Sequence, residues 1–464
     1  MKVTIVGGGA YRVLGIMRSA MAVSNALHGG EINLYDLNVS RAEAMGRMLL
    51  KTPEQKASGC RITWGTSLEE ALEGADAVGI ILPAGPRKAA LLSKEPCLSR
   101  GFIDSDNVSP SGALCAVRIA HVVMHVARAM EKYCPNAWLI DFVNPVAVLS
   151  GMVNNHTKVK ALGVCAGFTN HLWDISRIFG KDEESTTLDV DTAGINHLSF
   201  ILKGTYEGRD LFTALNERIT PDWQMTGLQP WWNEVARKNI ASSVNRLVRF
   251  WRELGVLVFS TEGDGMDHLM YDEAVETASS GYKPKSEAEI DADCAASAAH
   301  READDKTFQS YLDRDLDDHF WNTEWEKDLR LKRADEDIFV RIFTGLAGDR
   351  EVKIATSFLN NGTIHGIKDR HVVEYSQYLF KDKLRPAGNY VIPDVTHGLI
   401  AGLAAHQTLL GDALATQDPQ MLAHALLNYP IKPYTRQARE MYKELIAINS
   451  PYIPEPLRAT GDYL

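Results

Sequence analysis

The sequence predicts an α/β protein with an N-terminal Rossmann-like, doubly wound parallel sheet and a C-terminal α+β domain. Residues 2–6 (KVTIV) form a short β-branched run, which is followed by three glycines and a helical stretch from about 11 to 26. A second apolar run, residues 31–35, ends in an acidic residue. This order of strand, glycine turn, helix and strand is typical of a dinucleotide-binding unit.

The remaining elements of the first domain follow in the same alternation. Residues 77–82 and 138–143 are apolar strand candidates, and residues 113–133 between them have the pattern of an amphipathic helix. Short strands that alternate with helices predict a parallel sheet with ligands at the carboxyl ends of its strands. We place this domain at residues 1–150.

A second domain, residues 151–464, is predicted to be α+β. Strand-like segments at 162–165 (LGVC) and 193–202 (AGINHLSFIL) mix with helical patterns, and the tail from about 398 to 450 reads as two or three helices.

The segment from about 280 to 332 is dense in charged residues but also contains Trp321 and Trp325. A linker would lack tryptophans, so we interpret this segment as a charged helical insertion.

Composition limits the classes of partner. The chain has 464 residues and a net charge of −11 that is spread along the sequence, which argues against nucleic acid and anionic membranes. No uninterrupted apolar run approaches the roughly 18 residues that span a bilayer, and no signal peptide is evident. Six cysteines without a CxxC pair predict reduced thiols. We therefore expect a cytoplasmic protein with a small-molecule partner.

The glycine turn is the first candidate site, and it predicts a bound dinucleotide. A pyrophosphate can approach the backbone only where side chains are absent, and the next helix N-terminus supplies N–H donors. The turn departs from the G-x-G-x-x-G pattern, because Arg12 stands at the third glycine position. Asp36 follows the second strand and would accept the ribose hydroxyls, which favours NAD over NADP. The candidate cofactor-binding residues of the turn are Gly7, Gly8, Gly9, Ala10 and Tyr11.

Two further groups of residues could carry chemistry. Cys165 and His197 offer one thiolate and one imidazole, a half-site for a divalent transition metal, although on spacing alone a buried cysteine and a core histidine are the better interpretation. The segment 255–271 holds Asp264 and Tyr271 around two glycines. Such a loop is either an acid/base site or a solvated surface.

Taken together, these segments resemble the family 4 glycoside hydrolases, which depend on NAD and a divalent metal. The resemblance runs nearly end to end. It rests on the GGG turn and on four further segments: PNAWLIDFVNP at 135–145, GVC at 163–165, AGINH at 193–197 and NNGTIHGIKDRHVVEYS at 360–376. The chain is similar, more distantly, to the lactate and malate dehydrogenases, whose fold the family shares.

The resemblance implies a hydrolysis in which NAD removes hydride from C3 of the sugar, a base takes the C2 proton and the aglycone is eliminated. Water then adds, and NADH returns the hydride. Mn²⁺ or a similar ion would polarise the C3 oxygen. Cys165 and His197 resemble the metal ligands, and the C2 base would be Tyr271 or Asp264. Asn144 resembles the asparagine that touches sugar and cofactor. The other expected substrate contacts are Asp106, Asn107, Arg87 and Asn196.

Several positions depart from the family pattern. Ala166 follows the metal cysteine where the family has Asn, Asp or His, so the leaving-group acid stays open, with His171 as one alternative. The strand-end arginine of the family is missing from residues 82–85, and Arg87 lies close by. Without a clear 6-phosphate signature, an unphosphorylated hexoside or a uronide is favoured.

Three functions remain open at this point. The first is the glycosidase. The second is an NAD-dependent sugar or hydroxy-acid dehydrogenase that releases NADH, and the third is a non-catalytic NAD-binding sensor. The family suggests a homodimer or homotetramer.

Overall fold

The structure is a computed structural model that describes residues 1–181, 187–226, 234–260, 263–273, 275–276, 282–317, 319–324, 328 and 330–464. Its described strands join into one 13-stranded sheet. In chain order they are β1 (Lys2–Val6), β2 (Glu31–Tyr35), β3 (Arg61–Gly65), β4 (Ala77–Ile80), β5 (Trp138–Asp141), β6 (Lys160–Gly163), β7 (Leu188–Ile195), β8 (Leu198–Tyr206), β9 (Arg209–Asp210), β10 (Leu257–Val258), β11 (Val352–Leu359), β12 (Val372–Phe380) and β13 (Lys383–Pro386).

Helices cover both faces of the sheet. The described α-helices are α1 (Tyr11–Val23), α2 (Val39–Lys51), α3 (Pro53–Ser58), α4 (Leu68–Leu72), α5 (Arg87–Leu92), α6 (Lys94–Leu98), α7 (Pro110–Tyr133), α8 (Val146–His156), α9 (Gly167–Ile178), α10 (Leu211–Arg218), α11 (Glu234–Leu254), α12 (Gly263–Met266), α13 (Glu287–Leu312), α14 (Ile338–Ala347), α15 (Asp394–Thr416), α16 (Pro419–Leu427) and α17 (Arg436–Asn449).

The N-terminal part of the sheet has the strand order β3-β2-β1-β4-β5-β6, and each neighbouring pair is parallel. After β1 the chain enters α1, whose buried residues join one apolar core; after β4 it leads to α7, whose buried residues join the other. The switch point of this sheet therefore lies between β1 and β4, where a dinucleotide-binding fold takes its ligand. The predicted fold class is confirmed.

The C-terminal part extends the same sheet with antiparallel strands. β6 pairs with β11, and the order continues through β12, β7 and β8 to β10. Because β6 ends at Gly163, the parallel strands continue beyond residue 150, and the division of the chain at that residue stays a prediction.

Several elements differ in detail from their predicted bounds. The helix predicted at 113–133 begins earlier, at Pro110, because the Ser109 side chain accepts a hydrogen bond from the Gly112 N–H at 3.0 Å and caps the helix. The strand-like segment 193–202 is a hairpin, in which β7 and β8 are joined by a two-residue turn. This turn places His197 at the end of the sheet.

α7 is also long and apolar enough to span a membrane by length and composition, but 67% of its most apolar window is buried inside the fold. It covers one face of the parallel sheet, and its residues Leu114 and Val117 are inaccessible to solvent. A core helix of an α/β fold has the same properties.

The charged segment near 280–332 contains α13, which starts with a capping box between Ser286 and Glu289. Trp321 is buried, and its ring lies 4.5 Å from the Arg18 guanidinium. Trp325 lies outside the described residues. The interpretation of this segment as an insertion stays a prediction.

Candidate active site

The glycine turn lies at the carboxyl end of β1, next to the switch point. The N–H groups of Gly7 and Gly8 both donate to the Tyr35 carbonyl at 2.9 Å. Gly7 has φ +90°, and a Cβ there would lie 2.0 Å from the Ile81 carbonyl oxygen. A Cβ at Gly9 would lie 2.9 Å from Asp36 Oδ2. The turn therefore requires glycine, because side chains at these positions would collide with the neighbouring backbone and with Asp36.

Asp36 is held beside this turn. Its Oδ2 accepts a hydrogen bond from the Gly9 N–H at 3.0 Å, and its Oδ1 accepts one from the Asn38 N–H at 2.8 Å. The two bonds orient the carboxylate at the tip of β2, where a ribose would bind in this fold. Ala10 is the N-cap of α1, and the Tyr11 hydroxyl donates to the Asp305 carboxylate.

Cys165 and His197 meet at the carboxyl end of β6. The Cys165 Sγ lies 3.4 Å from His197 Nε2, although the two residues are 32 positions apart. His197 occupies the second position of the β7–β8 turn with φ +65°, which a residue with a side chain seldom adopts. Such strain persists where the surrounding structure imposes it, and it is common at functional sites.

Asp264 fixes the orientation of the His197 ring. Its Oδ1 lies 2.9 Å from His197 Nδ1, and its Oδ2 accepts a hydrogen bond from the Val108 N–H at 3.3 Å. Burial alone would lower the pKa of His197, but the charge and hydrogen bond of Asp264 outweigh it, so this pKa is raised well above its usual value. A Cβ at Gly265 would lie 1.6 Å from the His197 carbonyl oxygen, so only glycine lets this loop pack against the turn.

These residues fit a divalent transition metal. With Nδ1 held by Asp264, His197 directs Nε2 toward the Cys165 sulfur, which also accepts a hydrogen bond from the Gly167 N–H at the start of α9. One thiolate and one imidazole suit a borderline ion. No group of three or more His, Cys, Asp or Glu side chains arranged for a metal occurs in the part of the chain that the structure describes.

A buried chain of polar groups continues from the turn. Asn107 Nδ2 donates to Asn196 Oδ1 at 2.7 Å, and Asn196 Nδ2 donates to Glu374 Oε2 at 2.9 Å. Asn107 Oδ1 is buried and has no hydrogen-bond partner among the described residues. Glu374 was missed from the sequence, although an acid within the apolar run at 371–376 was a signal that could have found it.

Tyr271 is held by a different segment of the chain. Its hydroxyl donates to the Gly101 carbonyl, and burial, together with the nearby Asp272 charge, raises the pKa of the phenol to about 12. Lys432 lies against the same turn, with Nζ donating to the carbonyls of Arg100 and Gly101.

The other predicted substrate contacts are spread along the carboxyl edge. Asp106 and Arg87 are exposed. Asn144 is partly exposed and follows β5, the strand beside the one that leads to Cys165.

An open cavity of about 680 Å³ lies between α1, α9 and residues 332–337. Arg12 of α1 and Ala166, the residue after Cys165, both line it. His171 is buried, with its ring 5.3 Å from that of Phe259, and it is not among the residues that line this cavity.

The Asp264 loop rests on a buried group of aromatic residues. His268 bonds through Nδ1 to the Asp264 carbonyl at 2.7 Å and through Nε2 to the Tyr429 hydroxyl at 2.7 Å. The His406 ring lies 5.4 Å from that of Tyr429, and its Nδ1 donates to the Ala425 carbonyl at 2.9 Å. Burial lowers the pKa values of both histidines, that of His406 to about 4.

This cluster predicts a loss of stability in acid. Below pH 6.5 the unfolded chain binds a proton at His406 that the folded protein takes up only near pH 4, so the free energy of unfolding should fall across this range. His406 accounts for about 3 kcal/mol of this fall in the free energy of unfolding. Urea unfolding of wild type and His406→Gln at pH 7 and pH 4.5 measures it. The variant should lose less stability between the two pH values, and an equal loss would contradict the assignment.

The comparisons with known proteins identify the family. The model of family 4 glycosyl hydrolases matches residues 2–178, and the model of the family's C-terminal domain matches residues 192–431. The chain belongs to family 4 of the glycosyl hydrolases. The identification as a glycosidase of this family, made above from short segments, is therefore confirmed.

Individual relatives are distant in sequence but extend over the whole chain. An alpha-galacturonidase of Thermoanaerobacter italicus is 24% identical over 96% of this chain and 95% of its own length. A probable 6-phospho-beta-glucosidase of Bacillus subtilis is 21% identical over 98% of each. The solved 6-phospho-alpha-glucosidase from gut microorganisms, in complex with NAD and glucose-6-phosphate, has a TM-score of 0.79 at 17% identity and covers 98% of this chain and 99% of its own.

A further solved structure, the 6-phospho-beta glucosidase of Thermotoga maritima, contains manganese, NAD⁺ and glucose-6-phosphate. Its TM-score is 0.73 at 17% identity, over 98% of this chain and 99% of its own. NAD and Mn²⁺, which the sequence predicts as cofactors here, are bound together in that protein.

Proposed function

We propose that the protein is a cytoplasmic glycosidase that uses NAD and Mn²⁺ or a similar ion to cleave an unphosphorylated hexoside or a uronide. The observation that carries the proposal is the meeting of Cys165, His197 and Asp264 at the same edge of the sheet as the glycine turn. A thiolate and an oriented imidazole supply two metal ligands. The family suggests that the active form is a homodimer or homotetramer.

When bound, NAD supplies a reversible hydride acceptor for C3 of the sugar, and the metal supplies Lewis-acid stabilisation of the C3 oxygen. The chain's own residues bind and orient these groups. The bare backbone of the glycine turn receives the pyrophosphate, and Asp36 receives the ribose hydroxyls. Cys165 and His197 hold the metal, with the imidazole fixed by Asp264.

The polar chain beside His197 is suited to a sugar hydroxyl. Asn107 Oδ1 is a buried acceptor without a partner among the described residues, and a donor supplied by the substrate would satisfy it. Asn196 and Glu374 hold the Asn107 side chain in place. Asn144, at the end of β5, completes the proposed contacts between sugar and cofactor.

The hydrogen bonds of the two candidates for the C2 base support one of them over the other. Asp264 already accepts hydrogen bonds from His197 and Val108, which supports a positioning role rather than that of the base. Tyr271 is not committed to the metal site. We assign the C2 proton to Tyr271, which must exchange its bond to the Gly101 carbonyl for one to the substrate.

Ala166 leaves the aglycone without a proton donor from that position. Its methyl group lines the open cavity of about 680 Å³, which offers room for a leaving group. Glycosides with acidic aglycones, such as nitrophenyl glycosides, leave without protonation and should be the fastest substrates. The alpha-galacturonidases among the relatives support a uronide as the sugar.

The test is incubation of the purified protein with NAD⁺, Mn²⁺ and a panel of aryl hexosides and uronides in D₂O. We expect release of the aglycone, deuterium at C2 of the released sugar and no accumulation of NADH. Stoichiometric NADH would indicate a net dehydrogenase instead. Hydrolysis without deuterium would refute the elimination route, and binding of NAD⁺ without turnover of any glycoside would indicate a sensor.

A further inference from the structure

One long helix, α13, is attached to helices that follow β1 and β4, the two strands that flank the switch point of the sheet. It extends over Glu287–Leu312 and has only three buried side chains, Ile290, Phe308 and Leu312. Most of its surface faces solvent, so burial of an apolar face does not explain why it lies where it does. Its two ends are instead attached to helices that follow different strands of the parallel sheet.

The N-terminal end of α13 is attached to α5, the helix that follows β4. Lys88 Nζ lies 2.9 Å from Glu287 Oε1 and 2.7 Å from Asp291 Oδ1. Both acids belong to the first turns of α13. This anchor therefore lies on the β4 side of the switch point.

The C-terminal end is attached to α1 and α2, which follow β1 and β2. Asp305 accepts a hydrogen bond from the Tyr11 hydroxyl and forms an ion pair with Arg41 at 3.1 Å. Phe308 packs against the Tyr11 ring, with 5.2 Å between centroids. Tyr11 is the first residue of α1 and directly follows the glycine turn and its N-cap.

These two anchors lie on either side of the switch point between β1 and β4. From Asp291 to Asp305 the helix rises about 21 Å, at 1.5 Å per residue. It therefore passes over the switch point and over the N-terminus of α1, where the fold binds the pyrophosphate of a dinucleotide.

We propose that α13 is a strap that retains the dinucleotide, with Lys88 and Asp305 as its anchoring residues. The inference rests on the NAD-dependent function proposed above. In that reaction NAD⁺ accepts hydride from C3 and NADH returns it to the same sugar, so the net oxidation is zero and the cofactor has no need to leave. Loss of NADH between the two transfers would leave an oxidised sugar that could not be reduced.

The strength of the anchors fits a strap that can open. The Asp305 side chain is 45% exposed and that of Lys88 is 30% exposed, and exposed ion pairs are weak and screened by salt. A helix with few buried side chains opens at low cost in free energy. The strap can therefore admit the cofactor and slow its departure.

The experiment measures release of the cofactor. Protein loaded with NADH is mixed with excess NAD⁺, and the decay of bound NADH fluorescence is followed in wild type and in the double variant Lys88→Ala/Asp305→Ala. We expect NADH to dissociate about tenfold faster from the double variant than from wild type. From wild type, NADH should dissociate faster in 0.5 M salt than in 0.05 M salt. A double variant within twofold of wild type would overturn the proposal.

The matched control is Glu302→Ala, one turn before Asp305. Glu302 pairs with Lys306 on the same helix, so this ion pair does not attach α13 to another element. NADH should dissociate from this variant at the wild-type rate.

Hydrogen exchange of wild type is a second measurement that needs no variant. The amides of residues 287–312 should exchange more slowly when NAD⁺ is bound, and unchanged exchange would also overturn the strap. If no glycoside is hydrolysed but the double variant still releases NADH faster than wild type, only the proposed function is refuted.

Discussion

Replacing Cys165 by serine is expected to abolish turnover and to weaken Mn²⁺ binding by at least about a hundredfold. Changes to residues that only support a metal ligand cost about 10- to 100-fold in affinity, so loss of a ligand should cost no less. Cys165 Sγ and His197 Nε2 are 3.4 Å apart, and removal of the thiolate leaves a single imidazole. Titration of free Mn²⁺ by electron paramagnetic resonance measures the affinity independently of activity.

The matched control is Cys294→Ser. Cys294 is the other partly exposed cysteine, whereas Cys60, Cys97, Cys115 and Cys134 are buried. This control should bind Mn²⁺ as wild type does and retain hydrolysis. Wild-type affinity in the Cys165→Ser variant would remove Cys165 from the metal site.

Tyr271→Phe is expected to reduce hydrolysis by about 10² to 10⁴ fold while NAD and Mn²⁺ binding stay unchanged, since the phenol would act only on the C2 proton. A pKa of about 12 means that the phenolate fraction grows about tenfold with each pH unit across the neutral range. The wild-type rate of deuterium incorporation at C2 should therefore rise from pH 6 to pH 9. The variant should lose both the incorporation and this rise.

Asp264→Asn gives the contrasting result if the two roles are assigned correctly. The amide has the shape of the carboxylate but not its charge, so the His197 ring is held less firmly and Mn²⁺ affinity should fall about 10- to 100-fold. Saturating Mn²⁺ should then restore much of the activity of this variant. If Asp264→Asn binds Mn²⁺ normally but does not exchange the C2 proton, Asp264 is the base and Tyr271 is not.

The sequence was sufficient for four of the six parallel strands. The β-branched run at 2–6, the glycine turn and the acid at position 36 are local signals, because strand, turn and helix formation depend on neighbouring residues. β3 was not predicted, and β6 begins two residues before the strand-like segment 162–165. The strands β1, β2, β4 and β5 begin at the predicted residues, and β4 and β5 end two residues earlier than predicted, ahead of Pro83 and Pro145. A proline has no backbone N–H and therefore cannot donate a hydrogen bond to a neighbouring strand.

The hairpin at 193–202 was read as one strand-like segment, because its turn consists of only two polar residues between apolar runs. The pairing of Ile195 with Leu198 puts His197 at the end of the sheet and within reach of Cys165. The segment around Asp264 was equally compatible with a solvated loop. The close approach of Gly265 to the His197 backbone shows that this segment packs against the β7–β8 turn.

By itself the sequence determined the fold class, the glycine turn and the family, since these depend on local patterns and on their order along the chain. Only the tertiary structure decided which side chains meet: Asp264 with His197, Asn107 with Asn196 and Glu374, and Asp305 with Tyr11 and Arg41. Each of these contacts joins residues that are far apart in sequence. The geometry of the sheet sets such distances, and no local pattern encodes them.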